Sequence, residues 1–202
     1  QYIPKFMLPA MMQMQISAGE HFVNTVQHHQ SHLPTFRRSI TFDAYTDGWA
    51  FYAQRYLAEQ GFYKDPKHEL GIKYLELIKA TVAITDYYIH KERFERDMAI
   101  EFLIENTGLP LMEAEAKVDE LIVDPGRAFA YWEGYNRIEK LKKLTQEKLG
   151  ERFNIKSFHQ AILSCGPVPL DVLDMVVAQH ILTINPAANM EEEGLPLAHA
   201  FE

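Results

Sequence analysis

Three histidines near the N-terminus have the spacing of metal ligands on a helix. His21, His28 and His32 are seven and four residues apart, which would place their side chains on one helix face. Neutral imidazoles four residues apart can share a metal ion, as in the HExxH helix of zinc peptidases, where a glutamate between them serves as the base. No glutamate stands between His28 and His32, and Pro34 is expected to end the helix just beyond them. The favoured interpretation is therefore a solvated helix end with His32 in its last turn, and metal binding is the alternative.

One aspartate, Asp47, lies within an aromatic stretch of the chain. Its segment, Thr41 to Arg55, reads TFDAYTDGWAFYAQR. A carboxylate near Trp49 and other large aromatic residues needs a hydrogen-bonding partner or a metal ion, because burying an unpaired charge is costly. The alternative is that Asp47 caps the helix whose apolar stripe follows, and the pattern favours this cap.

Three further sets of side chains could do chemistry. Asp86 and His90 are four residues apart and can hydrogen-bond on one helix face. Such an aspartate can orient a histidine that acts as a base or a ligand, or the two can form a surface pair. Tyr131 and Tyr135, one turn apart, could donate to a substrate carbonyl or only pack. For His159, beside an apolar stripe, a hydrogen-bonded structural role is favoured.

The period of the apolar residues indicates that helices position these side chains. The longest stripe runs from Leu70 to Ile89 with apolar residues three and four apart. Four more stripes follow the same pattern, over residues 45–57, 111–122, 128–144 and 170–181. Sustained alternation of apolar and polar residues, which would predict strands, does not occur. The expectation is an all-α domain of about seven or eight amphipathic helices.

Capping residues mark the predicted helix ends. Asp124 and Pro125 predict a helix start, as N-cap and first helical residue. Gly61, Gly108 and Gly150 predict helix ends, because glycine tolerates the left-handed backbone of a C-terminal cap.

Composition excludes several classes of protein. The chain has 202 residues, 47% of them hydrophobic, and a formal net charge of −8. This acidic balance argues against nucleic-acid binding. A run of about 18 apolar residues, which could span a bilayer, does not occur in the sequence. Cys165 stands alone, so neither a disulfide framework nor a thiolate zinc site is expected. The sequence contains no GxGxxG, P-loop or GxSxG motif, so nucleotide binding and serine hydrolysis have no support.

The same length predicts one principal domain. We expect a helical domain over residues 1–184 and an acidic tail over 185–202, which carries glutamates at 191, 192 and 193. The chain begins with Gln1, so we expect it to be a piece of a longer protein.

The order of several segments resembles a known bacterial family. LPTFRR, TFDAYTDGWAFYAQRYLAEQGFYKDP, TDYYIH, AIEFLIENTG, DPGRAFAYWEG, LGERFNIKSFHQAIL and GPVPLDVL follow one another as in the "domain of unknown function 885" family. Members of this family look like zinc metallopeptidases of the thermolysin-like (gluzincin) clan, and many look like exported lipoproteins. The resemblance implies a helical fold, an envelope or periplasmic location, and a parent protein that is longer and lipid-anchored.

The family's first site motif, HExxPGHH, is degenerate in this chain. A gapless count back from Leu33 places it on residues 14–21. Met14 replaces the first histidine, and Gln15 replaces the glutamate that would be the general base. Glu20 replaces the first histidine of the final pair, and His21 matches the second.

The later motifs are partly kept. In the family's EGWxLYxE motif, Asp47 replaces the first glutamate and Gln54 the last. Asp86 and His90 fit a later DTGxH-like segment, whereas Glu120-Leu121 replaces an Arg-Tyr pair that is typical of the family.

These departures argue against zinc hydrolysis. A zinc hydrolase needs ligands, a metal-bound water and a base, but methionine is a poor zinc ligand and glutamine cannot accept a proton at neutral pH. We therefore expect a degenerate metallopeptidase-like domain that binds a peptide or a partner protein, without zinc or another cofactor. Its remnant site is expected to contain four side chains, those of Asp47, Asp86, His90 and Tyr131.

Two alternatives stay open at this point. Glu20, His21 and Asp47 could hold Mn²⁺, Mg²⁺ or Ca²⁺ in an active hydrolase, with His90 or a tyrosine giving acid–base help. The chain could also be a structural C-terminal part of a larger helical protein.

Overall fold

Helices account for all the regular structure of residues 3–188 and 190, which are the residues that the computed structural model describes. The α-helices are α1 (Leu8–Met12), α2 (Glu20–His29), α3 (Asp43–Glu59), α4 (Pro66–His90), α5 (Arg96–Thr107), α6 (Leu111–Val123), α7 (Arg127–Leu149), α8 (Ile155–Cys165) and α9 (Leu170–Ile184). Short 3-10 turns occupy Thr35–Arg38 and Gly150–Arg152. The predicted all-α class is confirmed, with eight helices of ten or more residues in the described part of the chain.

The helix ends that were predicted at glycines agree with the structure. Gly61 and Gly108 each have positive φ, and they follow the last turns of α3 and α5. Two starts are capped by side chains: Asp65 accepts from Lys67 N–H at 2.9 Å, and Asn154 caps α8 in the same way.

The predicted start at Asp124-Pro125 is wrong. Helix α7 begins at Arg127, with Gly126 as its N-cap residue at φ 85°, and Asp124 instead ends α6. The reason is tertiary, because the N–H of Gly126 donates to a carboxylate oxygen of Asp86 at 2.9 Å. This hydrogen bond ties the turn to α4, and glycine tolerates the positive φ at that turn.

Helices α3 and α7 cross at very close range. A Cβ atom on Gly48 would lie 2.5 Å from the Cα atom of Gly134, and one on Gly134 would lie 1.7 Å from the backbone oxygen of Ala44. Only glycine at both positions permits this approach. The crossing places one face of α3 directly against α7.

The buried apolar side chains form two main groups and a small third one. One group lies among α2, α3, α7, α8 and α9 and includes Tyr45, whereas the other lies among α1, α4, α5 and α6 and includes Leu103. The third group joins α4, α6 and α7 and consists of Ala83, Leu121 and Ala128.

An irregular turn connects the N-terminal segment to this core. Gln13–Ser17 winds as one π-helical turn, and Gly19 then precedes α2. A Cβ atom on Gly19 would lie 1.5 Å from the backbone oxygen of Met14, so the turn requires glycine. Trp49 on α3 donates its indole N–H to the backbone oxygen of Ala18 at 2.9 Å, which holds the start of α2 against α3.

The predicted histidine stripe does not form. Helix α2 ends at His29, so the prediction that His32 lies in its last turn is wrong. His32 lies in the following turn, with its Nε2 atom 3.2 Å from the backbone oxygen of Ser164. Gln30 also donates to the backbone oxygen of Leu163 at 2.6 Å, and these contacts with α8 end the helical path.

Two further expectations concern the whole chain. No helix of residues 3–188 is long and apolar enough to cross a membrane. In the predicted tail, the three glutamates at 191–193 lie outside the described residues, whereas Met190 is buried against the group that includes Tyr45.

Candidate functional site

Asp47 lies inside helix α3 and lines a pocket. Helix α3 begins at Asp43 with Phe42 at the N-cap position, so the prediction that Asp47 caps this helix is wrong. The pocket has a volume of about 210 Å³ and lies between α3, α4, α6 and α7. Its lining consists of Asp47, Ile78, Lys79, Val82, Lys117, Glu120, Leu121, Asp124, Arg127, Ala128 and Tyr131.

The surroundings of Asp47 favour its protonated form. Burial raises the pKa of its carboxyl to about 6, and the negative charges of Glu20 and Asp43 act in the same direction. The positive charges of Lys79 and Arg127 partly oppose this rise. Asp47 is therefore a carboxyl that exchanges its proton close to neutral pH, which is a common property of functional carboxyls.

Lys79 is the main site residue that the sequence analysis missed. Burial lowers the pKa of its ammonium to about 8; Asp47 and Glu20 oppose this change, and Lys117 adds to it. The Nζ atom lies 3.9 Å from the centroid of the Tyr131 ring. The helical spacing of the sequence could have identified it, because Lys79 is seven residues before Asp86 and so lies on the same buried face of α4.

Arg127 is surrounded by carboxylates at the rim of the pocket. Its guanidinium nitrogens lie 3.9 Å from an oxygen of Asp43, 3.9 Å from Glu120 and 3.5 Å from Asp124. All four side chains are about half exposed, so these pairs contribute little to stability. They do balance the charge of Arg127 within the protein.

Tyr131 forms part of the pocket wall. Its hydroxyl donates to the backbone oxygen of Lys79, and burial raises its pKa. Donation to a substrate carbonyl, one of the two roles predicted for this residue, would require the hydroxyl to leave that oxygen. Its ring lies beneath the Lys79 ammonium, so packing is the role that the geometry supports.

Asp86 and His90 join helices outside the pocket. Asp86 is almost fully buried, and its two carboxylate oxygens lie 2.9 Å from the Gly126 nitrogen and 3.3 Å from His90 Nε2. His90 Nε2 is also 3.0 Å from the backbone oxygen of Leu121. The pair thus links α4 to α6 and to the turn before α7, and neither side chain lines the pocket.

The side chains predicted to hold a metal converge only in part. Glu20 is close enough to Asp47 to raise its pKa, whereas His21 is exposed and does not line the pocket. Met14 is buried and Gln15 is exposed. Within residues 3–188 and 190, no group of three or more His, Cys, Asp or Glu side chains has the geometry to hold a metal ion.

The chemistry of these donors does not fit zinc. The ammonium of Lys79 interacts with both Glu20 and Asp47, so a positive charge already lies beside the two carboxylates. It would repel a divalent cation at the same place.

His159 has the structural role predicted for it. Its Nε2 atom lies 2.7 Å from the Tyr52 hydroxyl oxygen, within hydrogen-bonding distance, and its ring packs edge-on against Trp49 and Tyr56. Burial lowers the pKa of His159 to about 4, so the ring is neutral near pH 7.

Comparison with known proteins assigns a family. Residues 3–177 match a family of bacterial proteins of unknown function, DUF885. The chain belongs to this family. The resemblance noted in the segment order is therefore confirmed, although the family description contains no peptidase activity.

Two solved structures have folds similar to that of this chain. One is a "putative lipoprotein" from Colwellia psychrerythraea, with 31% identity and a TM-score of 0.85 over 89% of this chain. The other is a "putative lipoprotein of unknown function" from Shewanella oneidensis, with 23% identity and a TM-score of 0.75 over 88% of this chain. The chain covers 31% and 32% of their lengths, about a third of each. No curated protein matches it.

Proposed function

We propose that this chain is a peptide-binding domain that does not hydrolyse its ligand, and that the pocket beside Asp47 is its binding site. The observation that carries the proposal is the pocket itself, in which Asp47 and Lys79 meet on packed helices. Charged groups held in a partly desolvated pocket interact more strongly with a polar ligand than the same groups in water.

The residues at the positions where the family motif would hold zinc and activate water support the proposal that the domain does not hydrolyse its ligand. Met14 is buried, Gln15 is exposed, and the ammonium of Lys79 acts on Asp47 and Glu20. Replacing a general base costs on the order of 10² to 10⁴ in rate, and replacing a ligand weakens metal binding as well.

The dimensions of the pocket favour a peptide over a folded partner as the direct ligand. Its volume of about 210 Å³ is below the range of about 300 to 1,000 Å³ that is typical of small-molecule sites. Such a space admits a side chain or the end of a chain. A partner protein would have to bind through an extended segment of this kind.

For the parent protein we propose a lipid-anchored location in the bacterial envelope. The similarity to the "putative lipoprotein" from Colwellia psychrerythraea supports this location.

Peptide binding can be tested by fluorescence anisotropy with a set of labelled short peptides that differ in sequence and in their ends. We expect saturable binding by the wild type and at least tenfold weaker binding by Lys79→Met, because a charge-assisted contact is lost. Lys73→Met is the matched control, since Lys73 lies exposed on the same helix and pairs with Glu76 at 3.2 Å. Equal weakening by both substitutions, or no binding by any peptide, would contradict the proposal.

One observation favours a second candidate, a hydrolase that uses a hard divalent cation. Glu20 and Asp47 repel each other, and an oxygen-preferring ion between them would relieve that repulsion, provided that Lys79 released its proton or moved away. Elemental analysis after exposure to Mn²⁺, Mg²⁺, Ca²⁺ and Zn²⁺ separates the two candidates. One bound ion per chain that is lost in Asp47→Ala, together with metal-dependent peptide cleavage, would establish the hydrolase.

The share of each solved structure that the chain covers, about a third, favours a third candidate, a structural part of a larger helical protein. Peptide binding that depends on Lys79 would count against a purely structural role.

A further inference from the structure

Two lysines from different helices extend into the same pocket. Lys79 comes from α4 and Lys117 from α6, and both line the space beside Asp47. Their ammonium groups are close enough that the charge of Lys117 lowers the pKa of Lys79. Neither ammonium forms an ion pair with a carboxylate among residues 3–188 and 190. Two like charges that face one pocket in this way repel each other, and an anion between them would relieve the repulsion.

The other cation of the pocket is already balanced. Arg127 lies within 3.9 Å of carboxylate oxygens of Asp43, Glu120 and Asp124. Glu120 and Asp124 line the pocket, but their charge acts on this guanidinium at the rim. The charges of Asp47 and Glu20 act on Lys79, but neither carboxylate forms an ion pair with it, so the two lysines retain the capacity to accept an anion from outside the chain.

The position of the Lys79 ammonium is set before any ligand arrives. Its Nζ atom lies 3.9 Å from the centroid of the Tyr131 ring and 5.9 Å from that of Phe51. Tyr131 is held in turn, because its hydroxyl donates to the backbone oxygen of Lys79. A cation that is fixed in this way loses little conformational entropy when an anion binds.

We propose that the space between Lys79 and Lys117 is a carboxylate subsite that takes the C-terminal carboxylate of a bound peptide. This inference rests on the proposed function, since it specifies which part of the peptide enters the pocket. The small volume favours a chain end over a chain that passes through. An acidic side chain offers the same carboxylate chemistry, so the experiment has to separate these two sources.

Three labelled peptides of one sequence make the test. The first ends in a free carboxylate, the second in an amide, and the third has the amide end plus an internal glutamate. We expect the free acid to bind the wild-type chain at least about tenfold more tightly than either amidated peptide. Lys79→Met and Lys117→Met should each remove most of this preference, and the exposed Lys73→Met should keep it.

The outcomes separate the subsite from the proposed function. Equal binding of the free acid and the plain amide would overturn the subsite but leave peptide binding intact. Tight binding of the glutamate-containing amide would overturn the assignment to the chain end. If none of these three peptides binds the wild-type chain, and no peptide of the wider set binds it either, the proposed function is overturned. Circular dichroism of Lys117→Met shows whether a loss of preference comes from the charge: an unchanged helical spectrum assigns the loss to the charge, whereas a loss of helical signal assigns it to the fold and would overturn the role of Lys117.

Discussion

At the level of single residues, burial gives Asp47 and Lys79 opposite pKa shifts. Desolvation disfavours the charged form of each group, so the carboxyl has a pKa of about 6 and the ammonium a pKa of about 8. Each charge partly offsets the shift of the other. A pair of this kind is costly to keep in a fold, and such costs are typical of sites that bind or react.

The free-energy cost of burying the ionised Asp47 carboxylate predicts a dependence of stability on pH. Its pKa in the folded protein, about 6, is above the ordinary value of 3.8 that an aspartate has in the unfolded chain. The folded protein therefore binds more protons between these values, and stability falls as the pH rises through this window. The loss is complete about one pH unit above the folded pKa.

We expect Asp47→Asn to remove this loss. The full shift corresponds to about 3 kcal/mol, and partial exposure to the pocket reduces this to about 1 to 2 kcal/mol. Asp47→Asn should thus increase the free energy of unfolding at pH 7.5 by that amount, with a smaller gain at pH 4. Urea unfolding at both pH values measures the difference. Asp97→Asn, at an exposed position of α5, is the control and should change the free energy of unfolding little at either pH. A destabilised Asp47→Asn at pH 7.5 would show that its charge stabilises the fold.

At the level of elements, the crossing of α3 and α7 positions the site. Asp47 is next to Gly48 and Tyr131 is one turn before Gly134, so the two glycines set how closely these pocket walls approach. The hydrogen bond between the Asp86 carboxylate and the Gly126 N–H then places the start of α7, and with it Arg127, at the rim of the pocket.

Gly134→Ala tests the crossing because two effects predict opposite signs. Helix propensity alone predicts a gain of about 1 kcal/mol. The added methyl group would instead lie 1.7 Å from the backbone oxygen of Ala44, so we expect the helices to separate, with a loss of at least about 1 to 3 kcal/mol. Thermal and urea unfolding measure the sign. Asn136→Ala on the exposed surface of α7 should be neutral or slightly stabilising. A stabilised Gly134→Ala would refute the close crossing.

At the level of the whole molecule, the pocket lies where the groups of buried side chains meet. Ile78 belongs to the group among α1, α4, α5 and α6, whereas Asp47 extends from α3, which belongs to the other main group. Leu121 and Ala128 of the small third group complete the wall. A ligand in this pocket contacts helices of both parts of the fold.

Peptide binding should therefore stabilise the whole fold. At a ligand concentration about 100 times the Kd, mass action adds about 2.7 kcal/mol, which corresponds to a rise in Tm of roughly 5 to 10 °C for a domain of this size. Differential scanning calorimetry with the free-acid peptide should show one transition that moves up. The shift should be much smaller for Lys79→Met and unchanged for Lys73→Met. Two transitions, of which only one moves, would show that the two parts unfold separately.

The sequence by itself determined the helical class and the approximate extent of the helices. Apolar spacing of three and four is a local property, and glycines such as Gly61 and Gly108 end helices through their own backbone freedom. The family was also evident from the order of the segments, and the match over residues 3–177 confirms it.

Tertiary structure alone decided where helices begin against other helices and which side chains share the site. Helix α7 begins at Arg127, with Gly126 rather than Asp124 as its N-cap residue, because the Gly126 N–H reaches the buried carboxylate of Asp86, a contact across 40 residues of chain. Asp47, Lys79 and Lys117 are distant in sequence, and no local pattern predicts that they meet in one pocket. Their pKa shifts arise from loss of water and from neighbouring charges, and both depend on how the helices pack.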